Sequence, residues 1–140
     1  MNVDLAAQRA MDHLAKVGFD HLSESERILA AVWQFAAGVS NNGFAGYYTS
    51  RWADLAFYVP AALQQIGAAG LAEIDRQANA LFGPDGPSPE CKVRASQLQQ
   101  LGEAVQRKLA ALDDRYFDIK EDVDELLGTW FRRLSAAGSR

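Results

Sequence analysis

Ser40-Asn41-Asn42-Gly43-Phe44-Ala45-Gly46-Tyr47-Tyr48 divides two strongly helical patterns with a chemically specific turn. Asn and Gly tolerate a positive φ, and Phe44, Tyr47 and Tyr48 then return large rings at helical spacing, so the turn is tied to a core. The reading assigns a left-handed conformation to the glycine, lets the Asn side chains satisfy turn backbone groups, and uses the rings to anchor the next element. The alternative use of Asn41, Asn42, Phe44, Tyr47 and Tyr48 is to line a small-molecule pocket with amides and rings.

On the N-terminal side of this turn, a helix begins at Ser23, where Ser23-Glu24-Ser25-Glu26 has capping-box spacing. Ile28, Val32, Phe35, Ala36 and Val39 form its apolar stripe, which Leu29 and Trp33 widen, so the helix is read as central and as ending at the Asn-Asn-Gly turn. An earlier helix over residues 4–17 carries Val3, Ala7, Ala10, Leu14 and Val17 on one side and stops at Gly18.

On the C-terminal side, a short helical turn carries Phe44, Tyr47 and Tyr48, and a third helix is expected over residues 54–66, with Trp52 and Phe57 feeding the core. Pro60 inside that span requires either a kink or a start near Val59. Leu71, Ile74, Ala78 and Leu81 mark a fourth helix ending at Phe82-Gly83-Pro84, and residues 83–89 hold three of the four prolines in an exposed loop. A fifth helix starts at Ser88-Pro89 with Leu98, Leu101, Val105, Leu109 and Leu112 as its row. The last is announced by Asp118-Ile119-Lys120-Glu121, a capping-box-like pattern, and continues through Ile119, Val123, Leu126, Leu127, Trp130 and Leu134. The pattern therefore predicts an all-α, single-domain helical bundle of five or six principal helices. Residues 1–22 read as a helical extension packed on it, 23–134 as the main domain and 135–140 as a flexible tail.

At 140 residues, one domain can bury roughly two thirds of the surface of its unfolded chain. Hydrophobic residues at 49% and charged residues at 23% are ordinary for a globular protein. The single cysteine, Cys91, leaves no intramolecular disulfide and argues against Cys-ligated zinc. With neither a signal-like N-terminus nor a long apolar run, a cytoplasmic protein outside the membrane is expected. A net charge of -4 opposes direct binding of nucleic-acid phosphates.

Residues 113–125 hold seven acids, Asp113, Asp114, Asp118, Glu121, Asp122, Asp124 and Glu125, against the two bases Arg115 and Lys120, a local charge of -5. Carboxylates three or four positions apart on a helix can present a negative row to a basic protein partner. The same acids have a plainer use at a helix start, where they favour the macrodipole, as Arg132 and Arg133 would at its end.

Other chemistry finds less support. The Asp12-His13 and Asp20-His21 pairs are too far apart in a helical frame for one metal site, and no metal or cofactor is assigned. Cys91 has the cations Lys92 and Arg94 nearby, yet no sequence signature supplies a histidine partner or oxyanion hole, so no catalytic residue is assigned. Asp122-Val123-Asp124 lacks the glycine and glutamate of a calcium loop, and Gly43 and Gly46 belong to no phosphate-binding loop. A binding or regulatory protein is therefore expected, the rival being a small-molecule-binding protein or enzyme with its pocket near the Asn-Gly aromatic turn.

Asn41-Asn42-Gly43-Phe44 with Tyr47-Tyr48, then Ala62-Leu63-Gln64-Gln65-Ile66-Gly67-Ala68, then Leu112-Asp113-Asp114-Arg115-Tyr116-Phe117 resemble, in that order and over residues 23–134, a family of small all-helical bacterial proteins that includes a DNA mimic. The resemblance implies a helical domain without established catalytic residues. In the described mimic it implies a dimer whose acidic face occupies the DNA-binding surface of a transcription factor, and for this chain a homodimer is the corresponding expectation. Where the family has Asn-Gly-Gly-Phe this chain has Asn-Asn-Gly-Phe, and Asn42 is expected to accommodate the change through its tolerance of the left-handed region.

Overall fold

The structure is a computed structural model that describes residues 2–138. It contains six α-helices and no strand among the described residues: α1 (Val3–Val17), α2 (Glu24–Tyr48), α3 (Val59–Gln65), α4 (Ala69–Ala80), α5 (Cys91–Asp118) and α6 (Val123–Gly138). None is long and apolar enough to cross a membrane among the described residues.

Local chemistry sets the first two helices. Asn2 accepts from the Leu5 amide at 2.8 Å to open α1, and Gly18, at φ 83°, closes it through a bond to the Leu14 carbonyl. The capping box of α2 forms as read, with Ser23 Oγ accepting from the Glu26 amide and Glu26 accepting from the Ser23 amide at 3.0 Å. That backbone bond is the chief reason the Glu26 carboxyl sits below its ordinary pKa. His13 adds to the effect at 2.6 Å from Glu26 and ties α1 to α2. α1 lies along α2 with Ala6, Ala7 and Ala10 buried, and small side chains there permit close approach. Arg27 holds the connection between the two helices, donating to the Phe19 and Asp20 carbonyls, with its guanidinium 4.4 Å from the Phe19 ring centre.

α2 does not end at Asn-Asn-Gly. It resumes after a single non-helical residue, Gly43, at φ 69° and ψ 177°. The positive φ expected of this turn falls on the glycine alone; no other residue type adopts one among the described residues, so Asn42 stays in ordinary territory. The ψ value also differs from the left-handed helical conformation expected. Beyond the break, Phe44, Tyr47 and Tyr48 are fully buried in a ring cluster. Phe35 meets Tyr47 edge-on at 5.6 Å and Tyr116 at 5.8 Å, and Tyr48 meets Phe82 at 4.7 Å.

A Cβ on residue 43 would lie 2.9 Å from Asp113 Oδ2, in addition to the strain of its φ. Gly43→Ala should therefore lower the unfolding free energy by about 1–3 kcal/mol in urea titration. An unchanged midpoint would contradict this role for the break.

Three boundaries differ from the sequence reading, while α3 takes the late start that reading allowed. Residues 54–58 form turns, and α3 begins at Val59, with Pro60 in the first turn where its missing donor costs nothing. Trp52, in a short 3₁₀ turn over Arg51–Ala53, and Phe57, in the turns that follow, are 40% and 51% exposed rather than in the core. α5 starts at Cys91 instead of Ser88-Pro89, and a break at Gly102, φ 82°, divides it. Asp118 closes α5 instead of opening α6, and α6 extends to Gly138, into the segment read as a tail; residues 139 and 140 lie outside the described residues.

Candidate functional site

The acidic stretch 113–125 spans the end of α5, its four-residue connection and the start of α6, and the structure divides its carboxylates into two groups. Three acids are committed to backbone amides. Asp113 Oδ1 accepts from the Phe44 amide at 2.7 Å, an amide freed by the break at Gly43. Partial burial pushes the Asp113 carboxyl above its ordinary pKa, the Phe44 bond opposes this, and neighbouring Asp114 reinforces it.

Glu121 does for α4 what no local residue does. Ala68, before the first turn of α4, offers no side-chain cap, and Glu121 instead accepts from the Gly70 amide at 3.0 Å and the Leu71 amide at 2.7 Å. Its charge also faces the positive end of the helix dipole. The approach needs the missing side chain at Gly70, where a Cβ would meet Ile119 Cδ1 at 2.7 Å and Glu121 Oε1 at 3.1 Å. Asp122 accepts from the Glu125 amide at 3.1 Å and so caps α6.

The second group is exposed: Asp114 and Asp118 on α5, Asp124 and Glu125 on α6. None of these, among the described residues, belongs to a salt bridge. Asp124 borders a groove with Trp33, Ala36, Ala37, Ser40 and Val123. Its carboxyl is pushed up in pKa by burial first, then by the like charges of Asp122 and Asp4. Arg115 points its charge elsewhere, donating to Gln77 Oε1 on α4 at 2.7 Å.

Asp124 and Glu125 suit the first turn of α6, as the dipole argument requires. Asp114 and Asp118 occupy the opposite kind of place, the C-terminal end of α5, where negative charge is unfavourable. They share a helix face at i, i+4 spacing, and Phe117, three residues after Asp114 and 60% exposed, lies beside that face. Its neighbour Tyr116 faces inward, pairing its hydroxyl with Ser40 Oγ at 2.9 Å.

The residues read as a pocket at the Asn-Gly turn separate into core and rim. Phe44, Tyr47 and Tyr48 have no exposed surface and build the core, while Asn41 and Asn42 are exposed, Asn41 donating to the Ala37 carbonyl at 2.8 Å. Among the described residues, no group of three or more His, Cys, Asp or Glu is placed to hold a metal. Cys91 is half-buried, its thiol 3.6 Å from the Thr49 carbonyl oxygen.

Two buried charged residues are not read as structural from the sequence, where Arg94 figures only as a cation near Cys91 and Asp75 is not singled out. Arg94, fully buried, donates from Nε to the Tyr48 carbonyl at 2.6 Å, from Nη1 to the Ser88 carbonyl at 2.8 Å, and from Nη2 to the Ser50 carbonyl and to Asp54 at 3.0 Å. Asp75, also fully buried, lies on α4. The readable sign was their register: Arg94 precedes Leu98 by one helical repeat, and Asp75 falls between Leu71 and Ala78, so each interrupts an apolar row.

The model of the DMP19-like protein family matches residues 20–134, which begins after α1 and covers the remaining helices almost to the end. The chain belongs to that family. No curated protein and no solved structure matches it. Within the DMP19-like match lie the Gly43 break, its Asp113 cap and both groups of carboxylates, whereas α1 lies outside.

Proposed function

We propose that this DMP19-like chain is a binding or regulatory module that acts through protein association, offering the end of α5 to a basic partner such as a DNA-binding protein. The carrying observation is the position of Asp114 and Asp118, which lie beside exposed Phe117 at the helix end least hospitable to negative charge. There a carboxylate costs about 0.3–1 kcal/mol, so local stability supplies no reason for the pair. An exposed ring beside free carboxylates suits a partner that is basic and partly apolar. Asp122, Asp124 and Glu125 at the start of α6 extend the negative field. The DNA-mimic member implied by the sequence resemblance adds the expectation that the partner surface ordinarily binds phosphates.

The test is affinity capture from native-host lysate at low and high salt, with wild type and Asp114→Asn/Asp118→Asn compared. Wild type should enrich a basic protein that salt releases, and the double variant should bind it more weakly by about 0.5–1 kcal/mol per charge. Equal capture by the folded variant, or capture indifferent to salt, would remove this surface from the account.

A further inference from the structure

Asp75 has no exposed surface, and neither of its carboxyl oxygens has a hydrogen-bond partner; the buried hydroxyl of Tyr47 is also unpartnered. Their surroundings are otherwise satisfied. The Tyr48 hydroxyl donates to Asn79 Oδ1 at 2.6 Å, one turn after Asp75, and Asn79 Nδ2 donates to the Ala56 carbonyl at 3.0 Å. No counter-charge reaches Asp75 from the helices packed around α4; Arg115 of α5 touches α4 at exposed Gln77 and does not act on Asp75. From α2 come only Tyr47 and Tyr48, which feel the Asp75 charge, and α3 contains no titratable side chain. From α5, Arg94 acts on both tyrosines, but its guanidinium is committed to three carbonyls and Asp54, which also acts on Tyr47. Arg76, on α4 itself, is the one cation acting on Asp75, and it is paired with Glu73 at 3.1 Å on the exposed side.

An unpaired carboxylate in such a site costs so much solvation that the group remains protonated instead. We propose that Asp75 is a proton-held latch: in the closed bundle it is the neutral acid, and losing its proton is coupled to lifting α4 from the Tyr47 and Tyr48 rings. The latch is independent of the partner-binding reading.

Burial raises the Asp75 carboxyl well above its ordinary pKa in the folded state. The folded chain therefore holds a proton that the unfolded chain releases near its ordinary value of about 3.9. The stabilisation is complete below that value and is lost as pH rises toward the folded-state value. Urea unfolding of wild type and Asp75→Asn from about pH 5 to about pH 8 reads this directly. The ratio of their folding constants, wild type over variant, should fall by up to about tenfold per pH unit. A ratio constant across the range overturns the proposal. Should the variant fail to fold, carbon NMR of labelled wild type decides: a neutral-acid Asp75 signal at neutral pH supports the latch, and an ionised one overturns it. Hydrogen exchange, corrected for intrinsic base catalysis, tests the coupling. Protection of α4 amides should fall with pH ahead of α1 amides, and an equal fall in both overturns local opening.

Discussion

Arg94→Met should lower the unfolding free energy by about 3–5 kcal/mol, the range for removing one partner from a buried charged network. Arg94 is the staple between the end of α2, the turn that follows it and the proline-rich loop before α5, through Tyr48, Ser50 and Ser88 carbonyls and Asp54. Methionine fills much of the volume but supplies no donor, so it strands three carbonyl oxygens. Lysine at the same place would recover only part of the loss, since an ammonium cannot span the positions that the guanidinium fork reaches. Urea unfolding followed by helical circular dichroism measures both variants. A loss below about 1 kcal/mol for Arg94→Met would show that the network is dispensable.

The triple variant Asp113→Ala/Glu121→Ala/Asp122→Ala should lose a similar amount, about 3–5 kcal/mol, by a different route. It removes the acceptors of the Phe44, Gly70, Leu71 and Glu125 amides. A lost cap costs about 1 kcal/mol, and a donor left without a partner in a partly buried place costs about 1–3 kcal/mol. Amide exchange should quicken at Phe44, Gly70 and Leu71 first, because each loses its own acceptor. Full protection at those amides in the variant would contradict the assignment.

The all-α class, the capping box at Ser23, the stop at Gly18 and the late start of α3 at Pro60 were all legible, because each is encoded within a few residues. The acidic stretch was legible as a charge excess but not as two functions. Asp113 serves an amide 69 positions away and Glu121 one 51 positions away, and local spacing says nothing about such partners. The same distance hid the correction at the α5–α6 joint. Asp118-Ile119-Lys120-Glu121 has the spacing of a capping box, yet Glu121 is taken by α4 and Asp122 opens α6 instead. The break at Gly102 lacked the Asn-Gly and aromatic signature that marked Gly43, so its glycine passed as an ordinary helix residue.

Urea unfolding of Asp114→Asn/Asp118→Asn beside Asp113→Ala/Glu121→Ala/Asp122→Ala tests most directly the division of these acids into those that hold the fold and those left free for a partner. The free-carboxylate variant should match wild type or gain up to about 1 kcal/mol from relief at the end of α5, while the cap variant falls by several. A destabilised free-carboxylate variant, or a cap variant as stable as wild type, would contradict the account.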